Sequence, residues 1–182
     1  MAIATYARTC SKNIPGNGQI WLAEASNITS ITITSGEVAA FTMEGVTKFL
    51  ECQPTIDTLV RSEEGTGTGS NISYVHKIDM TFSKLASGLV TFRDSLADAS
   101  PCGIVAVTLD SNGTYWLTGW NATDLGNRGL ELRADNSTSG TTPQDEEGGV
   151  ATISLETISG YLDIPLSEAG VTSFGTSKTD AT

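Results

Sequence analysis

The residue best suited to acid–base chemistry is His76, which is the only histidine in the chain. A serine or cysteine nucleophile usually needs such a base close by. His76 lies in a run from Ile72 to Phe82 in which apolar residues recur at every second position. A strand with this period places His76 on its apolar face. We therefore expect a buried or interface histidine, no catalytic residue, and a protein that is not an enzyme.

Metal-binding and phosphate-binding patterns are absent from the sequence. Cys10, Cys52 and Cys102 are far apart and form no Cys-x-x-Cys pair, so neither a zinc site nor a disulfide framework is predicted. The acidic run 145–147 lacks the regularly spaced ligand residues and the flanking helices of a calcium-binding EF-hand. The glycine-rich segment 61–71 lacks the Gly-Lys-Ser/Thr signature of a phosphate-binding loop. The sequence predicts no metal and no cofactor.

The chain is strongly acidic. Its 182 residues carry a formal charge of −11, and the sequence pI is about 4.3. A protein that binds nucleic acid needs a basic surface that displaces counterions from the phosphates, so direct binding of DNA or RNA is not expected. The first residues lack the apolar run of a signal peptide, and no segment is apolar enough to span a bilayer. These patterns favour a protein made and kept in a cytoplasm, without membrane contact.

The elements that must hold these residues centre on the segment 72–120. Its alternating first part predicts a long strand, and Leu89, Phe92 and Leu96 then form one apolar stripe of a short helix. A β-hairpin follows, predicted from the turn 110–113, because Asn-Gly tolerates positive φ. Further β-rich runs, with many Thr and Ser residues, lie on both sides. The predicted fold is mainly β: an antiparallel β-sandwich or barrel with one short α-helix packed against it and extended loops and arms.

The length of the chain suits a single domain. We predict an N-terminal arm over residues 1–18, one β-rich domain over 19–165, and an irregular C-terminal tail over 166–182. Segments 61–71 and 135–149 are rich in glycine and small polar residues, so they are predicted to be loops that project from the domain.

Several motifs occur together along the chain. They are Cys10-Ser-Lys-Asn-Ile-Pro-Gly16 ahead of a strand, the glycine-rich segment 61–71 between two strands, Ala99-Ser-Pro-Cys-Gly103 and Asp110-Ser-Asn-Gly113 in the strand–helix–hairpin unit, and Trp116-Leu-Thr-Gly-Trp120 followed by Asn121-Ala-Thr-Asp124. In this combination the chain resembles the tail tube proteins of phages that infect Bacteroidetes. The resemblance covers most of residues 10–165.

The resemblance implies a structural protein of the virion. Such subunits form hexameric rings that stack into a hollow tube, and strands of neighbouring copies join edge to edge around the lumen. The genome passes through without specific binding. Implied partners are further copies of the chain and other tail proteins: the terminator, the baseplate and, in a contractile tail, a sheath. Assembly would take place in the bacterial host cytoplasm, and the final location would be the virion tail.

Two sets of residues follow from this resemblance. The predicted contacts between subunits and rings lie in the two projecting loops, at Glu63, Glu64, Gly65, Gly67, Gly69, Asp145, Glu146 and Glu147. Six times −11 gives −66 formal charges per ring, which would face a duplex with one negative charge about every 1.7 Å and would keep it from adhering. The predicted lumen-facing carboxylates, on or beside predicted strands, are Glu37, Glu44, Glu51 and Asp79.

Other functions remain open on the sequence. A tail terminator or a capsid decoration protein needs the same small β-rich domain with arms. A secreted Ig-like adhesive module would also be β-rich, but it needs an export signal. A hydrolase is disfavoured because no general base is nominated.

Overall fold

The computed structural model describes residues 17–55, 57–68, 71–83, 87–120, 129–138 and 149–181. Most of these residues lie in strands, which confirms the mainly β prediction. The strands are β1 (Asn17–Glu24), β2 (Ile28–Thr34), β3 (Glu37–Met43), β4 (Phe49–Cys52), β5 (Val60–Thr68), β6 (Asn71–Ser83), β7 (Ile104–Asp110), β8 (Tyr115–Thr118), β9 (Glu131–Thr138), β10 (Val150–Ser159), β11 (Ile164–Pro165) and β12 (Lys178–Thr179). The helices are α1 (Ser87–Ala99) and α2 (Glu168–Ser177).

The described strands form three sheets. A six-stranded sheet has the order β11-β8-β7-β1-β4-β12, a four-stranded sheet has the order β5-β6-β10-β9, and β2 pairs with β3. Neighbouring strands in these sheets run antiparallel, except that β12 runs parallel to β4. The four-stranded sheet therefore has β5 and β9 as its edge strands.

The six-stranded sheet is the middle layer because its central strands are apolar on both faces. In β1, Ile20 and Leu22 pack with the four-stranded sheet and α1, whereas Trp21 and Ala23 pack on the opposite side. β7 is buried from Ile104 to Thr108 and shows no polar–apolar alternation, as expected for a strand covered on both faces. One core thus lies between the two larger sheets, and a second lies between the six-stranded sheet and the β2–β3 hairpin with α2.

The central prediction of strand, helix and hairpin is confirmed by β6, α1, β7 and β8. Leu96 of the predicted apolar stripe is buried in the core between the two larger sheets. The β7–β8 turn depends on Asp110, whose Oδ1 accepts hydrogen bonds from the backbone N–H groups of Asn112 at 2.8 Å and Thr114 at 2.9 Å. Gly113 follows with φ of +87°, a value that L side chains rarely adopt.

The prediction of an irregular tail over residues 166–182 is wrong. The segment forms α2 and β12, and Phe174 of α2 is buried at the centre of the second core. Its ring centroid lies 5.3 to 5.9 Å from those of four other aromatic residues, namely Trp21, Phe41, Phe49 and Tyr115. The sequence signal was weak because the buried face of α2 is otherwise built from small residues such as Gly170 and Ser177.

Segment 61–71 was predicted to be a loop, and this is also wrong, since residues up to Thr68 belong to β5 and β6 begins at Asn71. Glycine weakens a strand because it has no side chain to pack. Here Tyr74 of β6 pairs with Gly65, and a Cβ built on Gly65 would lie 3.4 Å from the Tyr74 ring. An aromatic ring over a strand glycine supplies the missing contact. Likewise, residues 135–138 of the second predicted loop extend β9.

Candidate functional site

The predicted contact residues of the first segment lie in an edge strand rather than a loop. Glu64, Gly65 and Gly67 are exposed on β5. Glu63 faces the opposite way from Glu64 and bonds within its own domain, as described below. The remaining predicted contact residues, Gly69, Asp145, Glu146 and Glu147, lie outside the described residues, as does most of the predicted N-terminal arm.

The four carboxylates predicted to line a lumen do not share one surface of the subunit. Glu37 and Glu44 are exposed at opposite ends of β3. Glu51 lies on β4 in the six-stranded sheet and accepts hydrogen bonds from the Gln19 side chain and the Ala181 backbone N–H. Asp79 lies on the four-stranded sheet, in an ion pair of 2.8 Å with Lys77. Of the four, only Asp79 belongs to the sheet with the two long edge strands.

A cluster of charged side chains does converge elsewhere, at the edge of the core between the two larger sheets. We call Arg61, Glu63, His76 and Asp163 the ionic cluster. Alternation places Arg61 and Glu63 of β5 on the same inward face as His76 of β6, and Glu63 is paired with His76 in register. Asp163 comes from the other side, directly before β11 of the six-stranded sheet. The cluster therefore joins the two sheets.

Asp163 is the centre of this cluster, with its side chain 2% exposed. Its carboxylate forms an ion pair with Arg61 through Oδ2 and lies 2.9 Å from His76 Nδ1 through Oδ1. Its backbone N–H donates to Glu63 Oε2 at 2.9 Å. The guanidinium of Arg61 also lies over the Trp116 ring of β8, 4.7 Å from the centroid. Each of these contacts ties the β5–β6 hairpin to the β8–β11 edge.

His76 is 3% exposed, and its two nitrogens meet different groups. Nε2 lies 2.8 Å from the backbone carbonyl of Tyr161, which can only accept, so Nε2 carries a hydrogen. Nδ1 lies 2.9 Å from Asp163 and 3.7 Å from Glu63 but makes no aligned hydrogen bond within the described part of the chain. Nδ1 therefore faces two carboxylates and needs a positive charge there, which a proton or a metal ion can supply.

The surroundings of His76 act on its pKa in opposite directions. Burial, the largest effect, would lower the pKa because it penalises the charged imidazolium. The Asp163 carboxylate, the Tyr161 carbonyl and the Glu63 carboxylate all favour the charged form, and together they raise the pKa of His76 above its ordinary value of 6.5. With His76 protonated, the metal-free cluster holds two cations and two carboxylates and has no net formal charge.

This raised pKa predicts that stability falls as pH rises. Above about pH 6.5, unfolded His76 loses its proton while the folded protein keeps it, so the free energy of unfolding decreases until pH passes the raised folded pKa. The loss amounts to about 1.4 kcal/mol for each unit by which the folded pKa exceeds the unfolded one. Urea unfolding in EDTA-containing buffers from about pH 6 to pH 8.5 measures it. An unfolding free energy that rises over this interval would contradict the prediction.

A second buried group, Cys52, sets the upper limit of the pH range for this measurement. Burial, with a smaller contribution from Glu51, raises the pKa of Cys52 from 9.0 to about 12. Unfolded Cys52 would therefore ionise near pH 9 while the folded thiol stays protonated, which would add a second loss of stability above that pH. Cys52 borders a cavity of about 340 Å³ beside β1 and β4, but a protonated buried thiol is a poor nucleophile.

The sequence singles out His76 of the ionic cluster but does not reveal which residues it contacts. His76 was correctly placed on the apolar face of a strand, and Glu63 was assigned to a loop contact. Asp163 was overlooked, although an aspartate between Leu162 and Ile164 is a signal in itself, because a carboxylate in an apolar segment needs a partner when it is buried. Arg61 was missed because segment 61–71 was not recognised as a strand.

Three residues of the cluster could hold a metal ion. One ligand atom each from Glu63, His76 and Asp163 lies within 4.8 Å of the others.

Neither of the described helices has the length and apolar character needed to cross a membrane. No family model, curated protein or solved structure matches the chain.

Proposed function

We propose that the protein is a structural subunit of a phage tail tube that closes into stacked rings through the edges of its four-stranded sheet. The observation that supports this most is the presence of two long edge strands on one sheet. β5 has nine residues and β9 has eight, so each offers a backbone edge of roughly 25–30 Å. A monomer must protect such edges from unwanted pairing, whereas a ring pairs them.

The directions of the four strands are compatible with the closure of several subunits into a ring. β5, β6, β10 and β9 alternate in direction, because each neighbouring pair is antiparallel. When β9 of one copy is placed beside β5 of the next, that alternation continues from copy to copy. Six copies of four strands would close a barrel of 24 antiparallel strands, with backbone groups paired all round.

The outer face of the four-stranded sheet would then line the lumen, because its inner face is buried against the six-stranded sheet. We call this outer face the lumen face. Among the residues that the structure describes, its charged side chains are Glu64, Lys77, Asp79, Glu131 and Glu156, together with Arg133, which is paired with Glu131. Four carboxylates and two cations leave a formal charge of −2, or six times −2, which is −12, per ring. Lys77 and Arg133 are paired with Asp79 and Glu131, so neither presents a free positive charge to DNA.

Electron microscopy of the concentrated, purified protein tests the proposal. Long hollow tubes are the expected result. Single rings would favour the terminator instead, and monomers or trimers would favour a capsid decoration protein. A monomer that never assembles at any concentration would remove the proposal.

A shortened β5–β6 hairpin tests which part of the subunit carries assembly. Gly65 pairs with Tyr74, so removal of residues 67–72, combined with Thr66→Asn and Ser73→Gly, leaves a two-residue Asn-Gly turn between them. This variant keeps the ionic cluster, and we expect it to fold with a thermal midpoint close to that of the wild type. Tube formation should be strongly reduced because three of the nine residues of β5, a third of its edge, are lost. Tubes of normal length from the folded variant would show that this edge is not used.

A further inference from the structure

We propose that Glu63, His76 and Asp163 form a binding site for one divalent transition-metal ion, such as Zn²⁺, which ties the β5–β6 hairpin to the β8–β11 edge. The first support is the chemistry of the donor set. One imidazole with two carboxylates suits Zn²⁺ and similar ions of intermediate softness. The ligand atoms come from three separate segments, so the ion would cross-link them.

Two of the three ligand–ligand distances are close to those around such an ion. Metal–ligand bonds of about 2.0–2.2 Å place two ligand atoms of a tetrahedral site roughly 3.3–3.6 Å apart. His76 Nδ1 lies 2.9 Å from Asp163 Oδ1 and 3.7 Å from Glu63 Oε2, on either side of that range. Small movements of the two carboxylates would therefore create the site without a change in the strands.

The orientation of His76 is the second and independent support. Its Nδ1 is buried, points into the cluster and lacks an aligned hydrogen bond within the described residues. Its Nε2 is held by the Tyr161 carbonyl at 2.8 Å. A histidine that binds a metal almost always donates its other ring N–H to a carbonyl or carboxylate, which fixes the ring and the tautomer. His76 has this arrangement before any metal binds.

The groups around the ligands are compatible with a bound ion. Asp163 uses Oδ2 for Arg61, so Oδ1 is the oxygen that faces His76. A cavity of about 10 Å³, which is room for about one water, borders two of the three ligands, His76 and Asp163. Replacing the imidazolium proton by a divalent ion changes the formal charge of the cluster from 0 to +1, within a chain whose formal charge is −11.

The single histidine makes the test direct. Tag-free protein labelled with ¹⁵N is titrated with ZnCl₂, and the imidazole signals, which can come only from His76, are followed by NMR. We expect saturation at one equivalent, with the Nδ1 signal shifted much more than Nε2, and a higher thermal midpoint that EDTA reverses. MgCl₂ serves as a control, since Mg²⁺ prefers an octahedral set of oxygen ligands and should leave the signals unchanged.

Two adjacent glutamates provide matched variants. Glu63→Gln removes one ligand and should weaken Zn²⁺ binding by about 10-fold or more. Glu64→Gln makes the same chemical change on the exposed face of the same strand and should bind like the wild type. The site is overturned if excess Zn²⁺ leaves the His76 signals unmoved, or if the two variants bind alike. The ZnCl₂ titration of the wild type, followed through the His76 signals, tests the metal site even if Glu63→Gln fails to fold. None of these outcomes depends on ring assembly.

Discussion

Replacing Asp163 with asparagine is expected to lower the free energy of unfolding by about 3 kcal/mol in metal-free protein near pH 6. Asparagine has almost the same shape, so the packing is kept while the charge is lost. Arg61 and His76 would then share the single carboxylate of Glu63, in a place where Asp163 is 2% exposed. An uncompensated buried charge is costly because the interior cannot solvate it.

The control for this change is Asp79→Asn. Asp79 also forms an ion pair, with Lys77 at 2.8 Å, but both side chains are partly exposed, at 33% and 42%. Water solvates each charge when the other is removed, so this variant should lose less than about 1 kcal/mol. Urea unfolding of the three proteins at the same pH makes the comparison. Equal losses from the two variants would show that the ionic cluster does not stabilise the fold beyond a surface pair.

Replacing Gly170 with alanine is expected to lower the free energy of unfolding by about 1–3 kcal/mol, although alanine is the better helix former. A Cβ at this position would overlap the carbonyl oxygen of Val38 in β3. The first turn of α2 is held against that same oxygen, which accepts hydrogen bonds from the Ser167 N–H at 3.0 Å and its hydroxyl at 2.8 Å. Alanine must push α2 away from β3 and weaken both bonds.

Gly175 of the same helix is the matched control. A Cβ there meets no atom within 4 Å. Gly175→Ala should therefore stabilise the protein by about 0.5–1 kcal/mol, because alanine restricts the unfolded chain and favours the helix. Thermal or urea unfolding of both variants reveals the sign. If both changes stabilise the protein, α2 does not pack on β3 as described.

The ionic cluster gives a common physical basis to the two proposals. It lies on the inner side of β5 and β6, directly behind the edge that we propose pairs between subunits. A subunit that pairs through one edge needs that edge to be held at a defined angle to its body. The contacts of Arg61, Glu63 and His76 with Asp163 hold it there, with either a proton or a metal ion at Nδ1.

Local sequence patterns alone determined much of the fold. The period of two in β6, the apolar stripe that includes Leu96 and the Asp-Ser-Asn-Gly turn each depend on residues close together in the chain. Backbone geometry converts such patterns directly into a strand, a helix or a turn. The charge of −11 likewise needs no structure. The mainly β class and the placement of His76 on an apolar face were predictable for this reason.

Only the tertiary structure decided the rest, because the deciding contacts join residues far apart in the chain. α2 is stable because Phe174 enters an aromatic cluster and Gly170 fits against Val38, neither of which a local pattern of small and polar residues can indicate. β5 is a strand because β6 pairs with it and Tyr74 covers Gly65. Asp163 contacts His76 although the two residues are 87 positions apart in the sequence (163 minus 76). Local patterns do not reveal a contact between residues so far apart, so the cluster could not be predicted before the sheets were assembled.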